Sequence, residues 1–144
     1  PIAVFESAAI LAYLAKKAGK FMPSDPEGRY RALEWLMFQI ANIGPMFGQA
    51  YHFRSGAPER VPYAVDRYTN EVGRLLGVME RRLGEAAYLA GEEYSIADIA
   101  SWPWVRNAYS YGQNMDEFPN VTRWIAEIAQ RPAVRRGLKA LEKA

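Results

Sequence analysis

The sequence has no cysteine and a single histidine, His52, in 144 residues. The lack of cysteine excludes disulfides, thiolate metal sites and a cysteine nucleophile from this stretch. One histidine leaves neither a metal-binding cluster nor an ordinary serine–histidine pair, so we expect no metal. If the protein is an enzyme, its chemistry must come from outside this stretch or from polar groups that act on a bound thiol.

Long apolar runs and a strong excess of one charge are also lacking. No apolar run approaches the roughly 20 residues that cross a membrane, and no basic segment followed by an apolar one marks an export signal. The net charge is only +2 and is scattered, which argues against nucleic acid as a partner. With 50% hydrophobic and 24% charged residues, the composition is that of a globular protein. We expect it to be cytoplasmic and to bind no membrane.

Helical patterns fill most of the chain. Apolar residues recur at three- and four-residue spacing, which predicts amphipathic helices. Gly44-Pro45 should bend one of them, because proline lacks the amide donor and crowds the preceding turn. No segment after Val4 alternates like a strand, so the predicted fold class is all-α. The apolar patterns predict helices over residues 6–18, 30 to beyond the bend, 65–83, 95–105, 118–131 and 134–141. For the second of these helices, Ser24 or Asp25 is the predicted cap, and Pro26 is tolerated in the first turn.

The sharpest helix start lies at Ser95. The Ser95 hydroxyl can accept the amide proton of Asp98, while the Asp98 carboxylate reaches back to the Ser95 amide, which makes a capping box. The helix that follows is apolar nearly all round, so it should be buried centrally. Trp102 and Trp104 are therefore expected to be core or domain-contact residues and not a ligand cage.

Several stretches carry a resemblance to a known family. The sequence resembles the C-terminal domain of cytosolic glutathione transferases, preceded by the last helix of their thioredoxin-like domain. The matching stretches are Glu6-Ser7-Ala8-Ala9-Ile10-Leu11, Ser95-Ile96-Ala97-Asp98, and Trp124 followed by Arg131-Pro132-Ala133-Val134. More narrowly, Gly44-Pro45-Met46-Phe47-Gly48-Gln49 with His52-Phe53 resembles the bacterial, Nu-class-like branch of glutathione-dependent disulfide-bond oxidoreductases.

This resemblance implies a domain organisation. Residues 1–20 would be a remnant of the thioredoxin-like domain, and residues 21–144 would form the all-α, C-terminal-type helical bundle. In this family a loop of the thioredoxin-like domain carries the residue that stabilises the glutathione thiolate, and that loop would precede Pro1. We therefore assign no catalytic residue and expect the chain by itself to be inactive.

The resemblance also implies a function. The protein would bind glutathione as co-substrate and use its thiolate to reduce a disulfide bond or to attack an electrophile. A small-molecule second substrate and a homodimer are expected with it. The alternative is a non-catalytic helical interaction module of the same fold, since this domain type also serves as a scaffold in translation factors and synthetase assemblies. The Glu6-Ser7 turn favours the enzyme.

Three residues are candidates for binding glutathione. A helix start offers unpaired amides and a partial positive charge to a carboxylate, Ser7 can donate its hydroxyl to the same group, and Glu6 can pair with the ligand ammonium. An ordinary helix cap is the alternative for both residues. Arg67 matches an Arg that reaches toward glutathione in the resembled branch, and Arg suits bidentate binding of a carboxylate. A surface pair with Glu71, one turn along, is its alternative.

The remaining candidates follow from the same resemblance. Met46, Phe47, Gln49 and His52 would line the pocket for the second substrate. For His52, which stands beside aromatic residues, the alternative is a packed or half-exposed side chain without a ligand. Ser95 and Asp98 are expected to be a structural cap, because a carboxylate near a buried turn needs hydrogen-bond partners.

Overall fold

Helices make up most of the computed structural model, which describes residues 2–141. No strand occurs in that range, which confirms the all-α prediction there. Pro1 and residues 142–144 lie outside the described residues, and so does the side chain of Leu141. The α-helices are α1 (Ser7–Ala18), α2 (Pro26–Phe38), α3 (Gly44–Tyr51), α4 (Pro62–Glu85), α5 (Ile96–Val105), α6 (Pro119–Gln130) and α7 (Pro132–Leu141). Two 3₁₀ turns, Ala108–Tyr111 and Met115–Glu117, connect α5 to α6.

Residues within one turn set the end of α1 and the start of α2. Gly19 ends α1 in the left-handed conformation, with φ 62°, which glycine adopts without a steric penalty. Asp25 starts α2 by accepting the Gly28 amide at 2.7 Å, and Pro26 occupies the first turn, where its missing donor does no harm. Of the two predicted caps, Ser24 and Asp25, it is Asp25 that starts the helix, and Pro26 lies in its first turn as predicted.

A π turn lies directly before Gly44-Pro45, where the sequence predicts a bend. Residues Gln39–Ile43 form a π-helical turn between α2 and α3, in which the Gly44 amide donates to the Gln39 carbonyl five residues back. A second π turn, His52–Gly56, follows α3. A π turn holds one more residue than an α turn and is frequent at functional sites. Helix α3 is therefore a short α-helix with a π turn, and so one inserted residue, on each side of it.

Two groups of buried apolar residues hold the helices together. The main core contains Phe47, Leu75, Met79, Trp124 and other fully buried side chains, and it joins α3, α4, α5 and α6. A smaller group joins α1 to α2 and α5; its buried members are Ala8, Ala15, Leu36 and Ile96. Helix α5 packs against α1, α2, α3 and α6, as expected for the central helix.

Helices α4 and α6 cap each other. The Glu80 carboxylate accepts the Asn120 and Val121 amides at 3.1 and 2.9 Å, at the start of α6. In return, the Arg123 guanidinium donates to the Leu83 and Ala86 carbonyls at 3.0 and 3.5 Å, at the end of α4. An acid near the start of a helix and a base near its end both interact favourably with the helix dipole and pair its free backbone groups. This exchange fixes the loop after α4, which leads to Ser95.

Candidate functional site

The start of α1 is open. Glu6 and Ser7 are both exposed, and Glu6 makes no side-chain hydrogen bond that would cap the helix. Glu6 also has a left-handed backbone, with φ 68° and ψ 121°, which costs a residue other than glycine about 1–3 kcal/mol. Such strain is typical of sites where the chain must present a group to a ligand. The first amides of α1 are thus not capped by Glu6 and can receive an anion.

A cleft between α3 and α4 contains Arg67. Its volume is about 590 Å³, and it brings Arg67 together with Met46, two of the predicted site residues. Glu6 and Ser7 are not among the residues that line it. Its lining is Met46, Tyr63, Asp66, Arg67, Tyr68, Asn70, Glu71 and Arg74.

The proposed partner of Arg67 is engaged elsewhere. The Arg74 guanidinium donates to both carboxylate oxygens of Glu71, through Nε at 2.8 Å and an Nη at 2.7 Å. These hydrogen bonds, assisted by the charges of Arg74 and Arg67, hold the pKa of Glu71 below its ordinary value. No carboxylate of the described chain lies within salt-bridge distance of Arg67. The alternative of a direct Arg67–Glu71 pair is therefore wrong, and Arg67 is available to a ligand.

The four residues assigned to a second-substrate pocket are placed differently from one another. Met46 is half-buried and lines the cleft, whereas Gln49 is exposed on α3. His52 is exposed at the start of the second π turn, with its ring edge-on to Phe53 at 4.9 Å between ring centres. Phe47 has no exposed surface and packs in the main core, so in the described chain it lines no open pocket.

Phe47 faces the core because the π turn before α3 sets the helix register. Its ring meets the Tyr111 ring at 5.1 Å in an edge-to-face arrangement, which favours aromatic pairs. Apolar residues at three-residue and four-residue spacing do not reveal an inserted residue. The side chains of α3 that face the core therefore cannot be predicted from this spacing.

Ser95 and Asp98 form the capping box at the start of α5. The Ser95 amide donates to Asp98 Oδ2 at 2.9 Å, and the Ser95 hydroxyl accepts the Ala97 amide at 3.3 Å. The same hydroxyl donates to Asp98 Oδ2 at 3.1 Å. Two longer-range donors, the Leu89 amide at 3.0 Å and the Trp124 Nε1–H at 2.9 Å, reach Asp98 Oδ1. The carboxylate thus ties the loop after α4, the start of α5 and the middle of α6 to one point.

Burial dominates the titration of this carboxyl group. Asp98 is 0% exposed, and burial raises its pKa above the ordinary value, while the hydrogen bonds from Leu89, Trp124 and Ser95 act in the opposite direction. The local part of this network follows from sequence spacing. The bonds to Leu89 and Trp124 join residues 9 and 26 positions away and have no local signal.

The two tryptophans of α5 differ in exposure. Trp102 is buried and donates its Nε1–H to the Ile125 carbonyl at 3.1 Å, which matches its predicted place in the core. Trp104 is 37% exposed, and its ring lies beside the α3 glycines, with carbon atoms 3.8 and 3.9 Å from where a Cβ would stand at Gly44 and Gly48. A Cβ at either position would be in ordinary van der Waals contact with the ring, so this contact does not by itself require glycine.

Within the described residues, no group of three or more His, Cys, Asp or Glu side chains is arranged to hold a metal ion. Over the same residues, no helix combines the length and the apolar character needed to cross a membrane.

Similarity to known proteins agrees with this architecture. The model of the glutathione S-transferase C-terminal domain matches residues 36–132. The chain is 45% identical over 139 residues to the disulfide-bond oxidoreductase YfcG of Escherichia coli strain K12, covering 96% of this chain and 64% of that protein. It is 41% identical over 145 residues to the disulfide-bond oxidoreductase YghU of the same organism, covering 95% of this chain and 50% of that protein.

Solved structures match over the whole helical bundle. A glutathione transferase from Burkholderia graminis, crystallised with two glutathione molecules per subunit, has a TM-score of 0.93 and 46% identity, covering 100% of this chain and 63% of that one. A glutathione transferase from Pseudomonas putida, crystallised with one glutathione disulfide per subunit, has a TM-score of 0.90 and 48% identity, covering 96% of this chain and 63% of that one.

The chain spans about half to just under two thirds of these curated relatives, 50% of YghU and 64% of YfcG. The family match begins late in α2 and ends at the start of α7, so it includes the main core and the capping box. The chain therefore belongs to the glutathione S-transferase family and has the helical fold of its C-terminal domain.

Proposed function

We propose that this chain is the helical part of a protein that binds glutathione and uses its thiolate to reduce disulfide bonds or to attack an electrophile. The observation that carries this proposal is the likeness, across 96–100% of the chain, to proteins named disulfide-bond oxidoreductases and to structures that hold glutathione or its disulfide. Disulfide reduction is the more specific proposal, because YfcG and YghU both bear that name.

The start of α1 is the proposed site for the γ-glutamyl end of glutathione. The amides of the first turn and the partial positive charge of the helix suit its α-carboxylate, to which the Ser7 hydroxyl donates. The Glu6 carboxylate pairs with the ammonium group. Two observations support this assignment over a plain cap: Glu6 makes no capping hydrogen bond, and its backbone is held in a strained conformation.

Arg67 is proposed to bind a carboxylate of glutathione. Its guanidinium lies in an open cleft, while the neighbouring guanidinium of Arg74 is taken up by Glu71. A planar guanidinium with free donors binds carboxylates in a bidentate manner. Arg67 would therefore position the ligand and not act on the sulfur.

The second substrate is proposed to approach along α3. Met46, in the cleft beside Arg67, offers an adaptable apolar contact, and the exposed side chains of Gln49 and His52 offer polar ones. Phe47 is left out of this pocket because it belongs to the main core.

The thiolate itself needs a stabilising group, and none of the residues proposed above to bind glutathione is assigned that role. Glutathione bound at α1 would provide the nucleophile, and the thiolate is the form that attacks a disulfide sulfur. We propose that residues 1–20 belong to a thioredoxin-like domain whose other residues hold this thiolate, and that residues 21–144 are the helical domain. A homodimer in the cytoplasm is part of the same proposal.

Glutathione titration of the whole protein that contains this chain tests the proposal. Ser7→Ala should weaken binding by about 1–3 kcal/mol, as expected for a lost hydrogen bond to a charged group, and Glu6→Gln should weaken it similarly. Ser55→Ala, which removes another exposed hydroxyl, is the matched control. Unchanged affinity in both the Ser7 and Glu6 variants would overturn the ligand site and leave an ordinary helix start.

An interaction module of the same fold is the second candidate. The observation that favours it is the exposed apolar surface near α1, where Phe5 is 82% and Leu14 is 49% exposed. Exposed large apolar side chains become significant where they form a patch, because such patches mark contacts with another protein or domain. A disulfide-reduction assay separates the two: we expect no turnover by this chain alone and turnover by the whole protein. Turnover that survives loss of Glu6 and Arg67 would place the active site elsewhere.

A further inference from the structure

A second cavity lies away from the cleft of Arg67 and shares no lining residue with it. Its volume is about 530 Å³, and it opens between the α1–α2 connection, the loop before α5 and the junction of α6 with α7. The lining residues used below are Lys20, Phe21, Tyr88, Glu93, Tyr94 and Arg131.

Aromatic rings form one wall of this cavity. Phe21 and Tyr88 meet the Tyr94 ring edge-on, with ring centres 5.9 and 5.7 Å away. The Phe21 carbonyl accepts the Ile96 amide at 2.9 Å, which holds the residue in place although its φ of 66° is left-handed. An aromatic side chain in that region is a conformational outlier. The fold thus keeps a partly exposed ring at the opening at a cost in backbone strain.

A cation stands on the same wall. The Arg131 guanidinium lies over the face of Tyr94, 3.8 Å from the ring centre, which fixes its plane by a cation–π contact. Among the described residues, no carboxylate lies within 4.0 Å of it. Lys20 and Arg131 are positive and Glu93 is negative, so the lining carries a net charge of +1. A stacked guanidinium leaves its edge free to donate two parallel hydrogen bonds.

We propose that this cavity binds a small aromatic carboxylate. The ring of the ligand packs against Phe21 and Tyr88, and its carboxylate receives hydrogen bonds from the edge of the Arg131 guanidinium. Because the lining carries a single excess positive charge, a monoanion fits better than a neutral molecule or a dianion. This site is separate from the proposed glutathione site and does not depend on it.

The test uses 2-naphthoate as the probe and 2-naphthylmethanol as its uncharged match, with affinities measured by titration calorimetry. The unaltered chain should bind naphthoate at least about tenfold more tightly than the alcohol, which lacks the charge-assisted bonds. Saturating glutathione should leave naphthoate binding unchanged. Equal affinity for the two probes, no binding of naphthoate, or its displacement by glutathione would overturn the proposal.

Variants locate the site. Arg131→Gln should weaken naphthoate binding about tenfold or more, whereas Arg135→Gln, which removes a neighbouring exposed charge outside the cavity, should leave it unchanged. Phe21→Ala removes the ring without changing charge and should weaken both probes. Far-ultraviolet circular dichroism checks that each variant is folded. Equal affinity in the Arg131 and Arg135 variants, or full affinity in Phe21→Ala, would show that naphthoate binds elsewhere.

Discussion

The starts of α1 and α5 differ in what meets their first amides. At α5, the side chains of Ser95 and Asp98 bond the helix start, and the carboxylate accepts four hydrogen bonds with no exposed surface. At α1, Glu6 makes no such bond and is exposed. Buried polar groups must be paired, whereas exposed ones can be left to water or to a ligand. The start of α5 is therefore committed to the fold, whereas the start of α1 leaves its first amides open for the proposed ligand.

Removing the Asp98 carboxylate should have the largest effect. In Asp98→Ala, the Leu89 amide, the Ser95 amide and the Trp124 indole lose their acceptor inside the protein, and each unpaired buried donor costs about 1–3 kcal/mol. We expect a loss of about 3 kcal/mol or more in the free energy of unfolding, measured in urea. Asp116→Ala, at an exposed acid, is the control. A loss as small as that of the control would remove the contrast between the two helix starts.

Arg67, in the cleft, is a second group that the fold leaves without a partner carboxylate among the described residues, so its loss should affect binding and not stability. Arg67→Gln should weaken glutathione binding by the whole protein about tenfold or more, as expected for a lost charge-assisted hydrogen bond, and should leave the unfolding midpoint unchanged. Arg81→Gln changes the charge at another exposed position of α4 and serves as the matched control. If both variants bind equally well, Arg67 is only a surface charge.

Ser7→Asp gives α1 an acid in its first turn, which it lacks. A carboxylate there should raise the free energy of unfolding by about 0.3–1 kcal/mol through the helix dipole. The same carboxylate should repel the carboxylate of glutathione, so stability and affinity should change in opposite directions. Thermal unfolding and calorimetry measure the two quantities. A rise in both would mean that no anion binds at this helix start.

The smallest effect should appear in the pH dependence of stability. Because burial raises the pKa of Asp98 from 3.8, the contribution of this group is fully present below 3.8 and is lost as pH rises through the higher, folded-state value. The free energy of unfolding should therefore fall with rising pH in that window relative to Asp98→Asn, which does not titrate. Urea unfolding of both proteins between about pH 3 and pH 7 measures this difference. An increase would mean that the hydrogen bonds outweigh burial.

Sequence patterns predicted the local features of this molecule well. The end of α1 at Gly19 and the start of α6 at Pro119 follow from residues within one turn, so a single sequence contains the necessary information. The capping box is equally local. What connects distant segments was not predictable: the bond from Trp124 to Asp98 and the mutual capping of α4 and α6 depend on how the helices pack.

The site was predicted less completely, for a physical reason. Residue types and family resemblance selected Arg67 and Met46, which the fold places in one cleft. Phe47 belongs to the same Gly44–Gln49 motif as Met46, but its side chain is buried in the core. The Glu71–Arg74 pair was missed because spacings of three and four residues are both compatible with a helical ion pair. Orientation around a helix axis was thus the missing information.

The π turn Gln39–Ile43 lets α3 keep its orientation despite one inserted residue. If the same residues formed an ordinary α turn, everything that follows would be rotated by roughly 100° relative to α2, because an α-helix has about 3.6 residues per turn. Phe47 would then leave the core and Met46 would leave the cleft. Deleting one residue from this turn would instead restore the α repeat and leave the same side chains of α3 facing the core. The turn is therefore a point at which the length of the chain can change without exchanging the faces of the next helix.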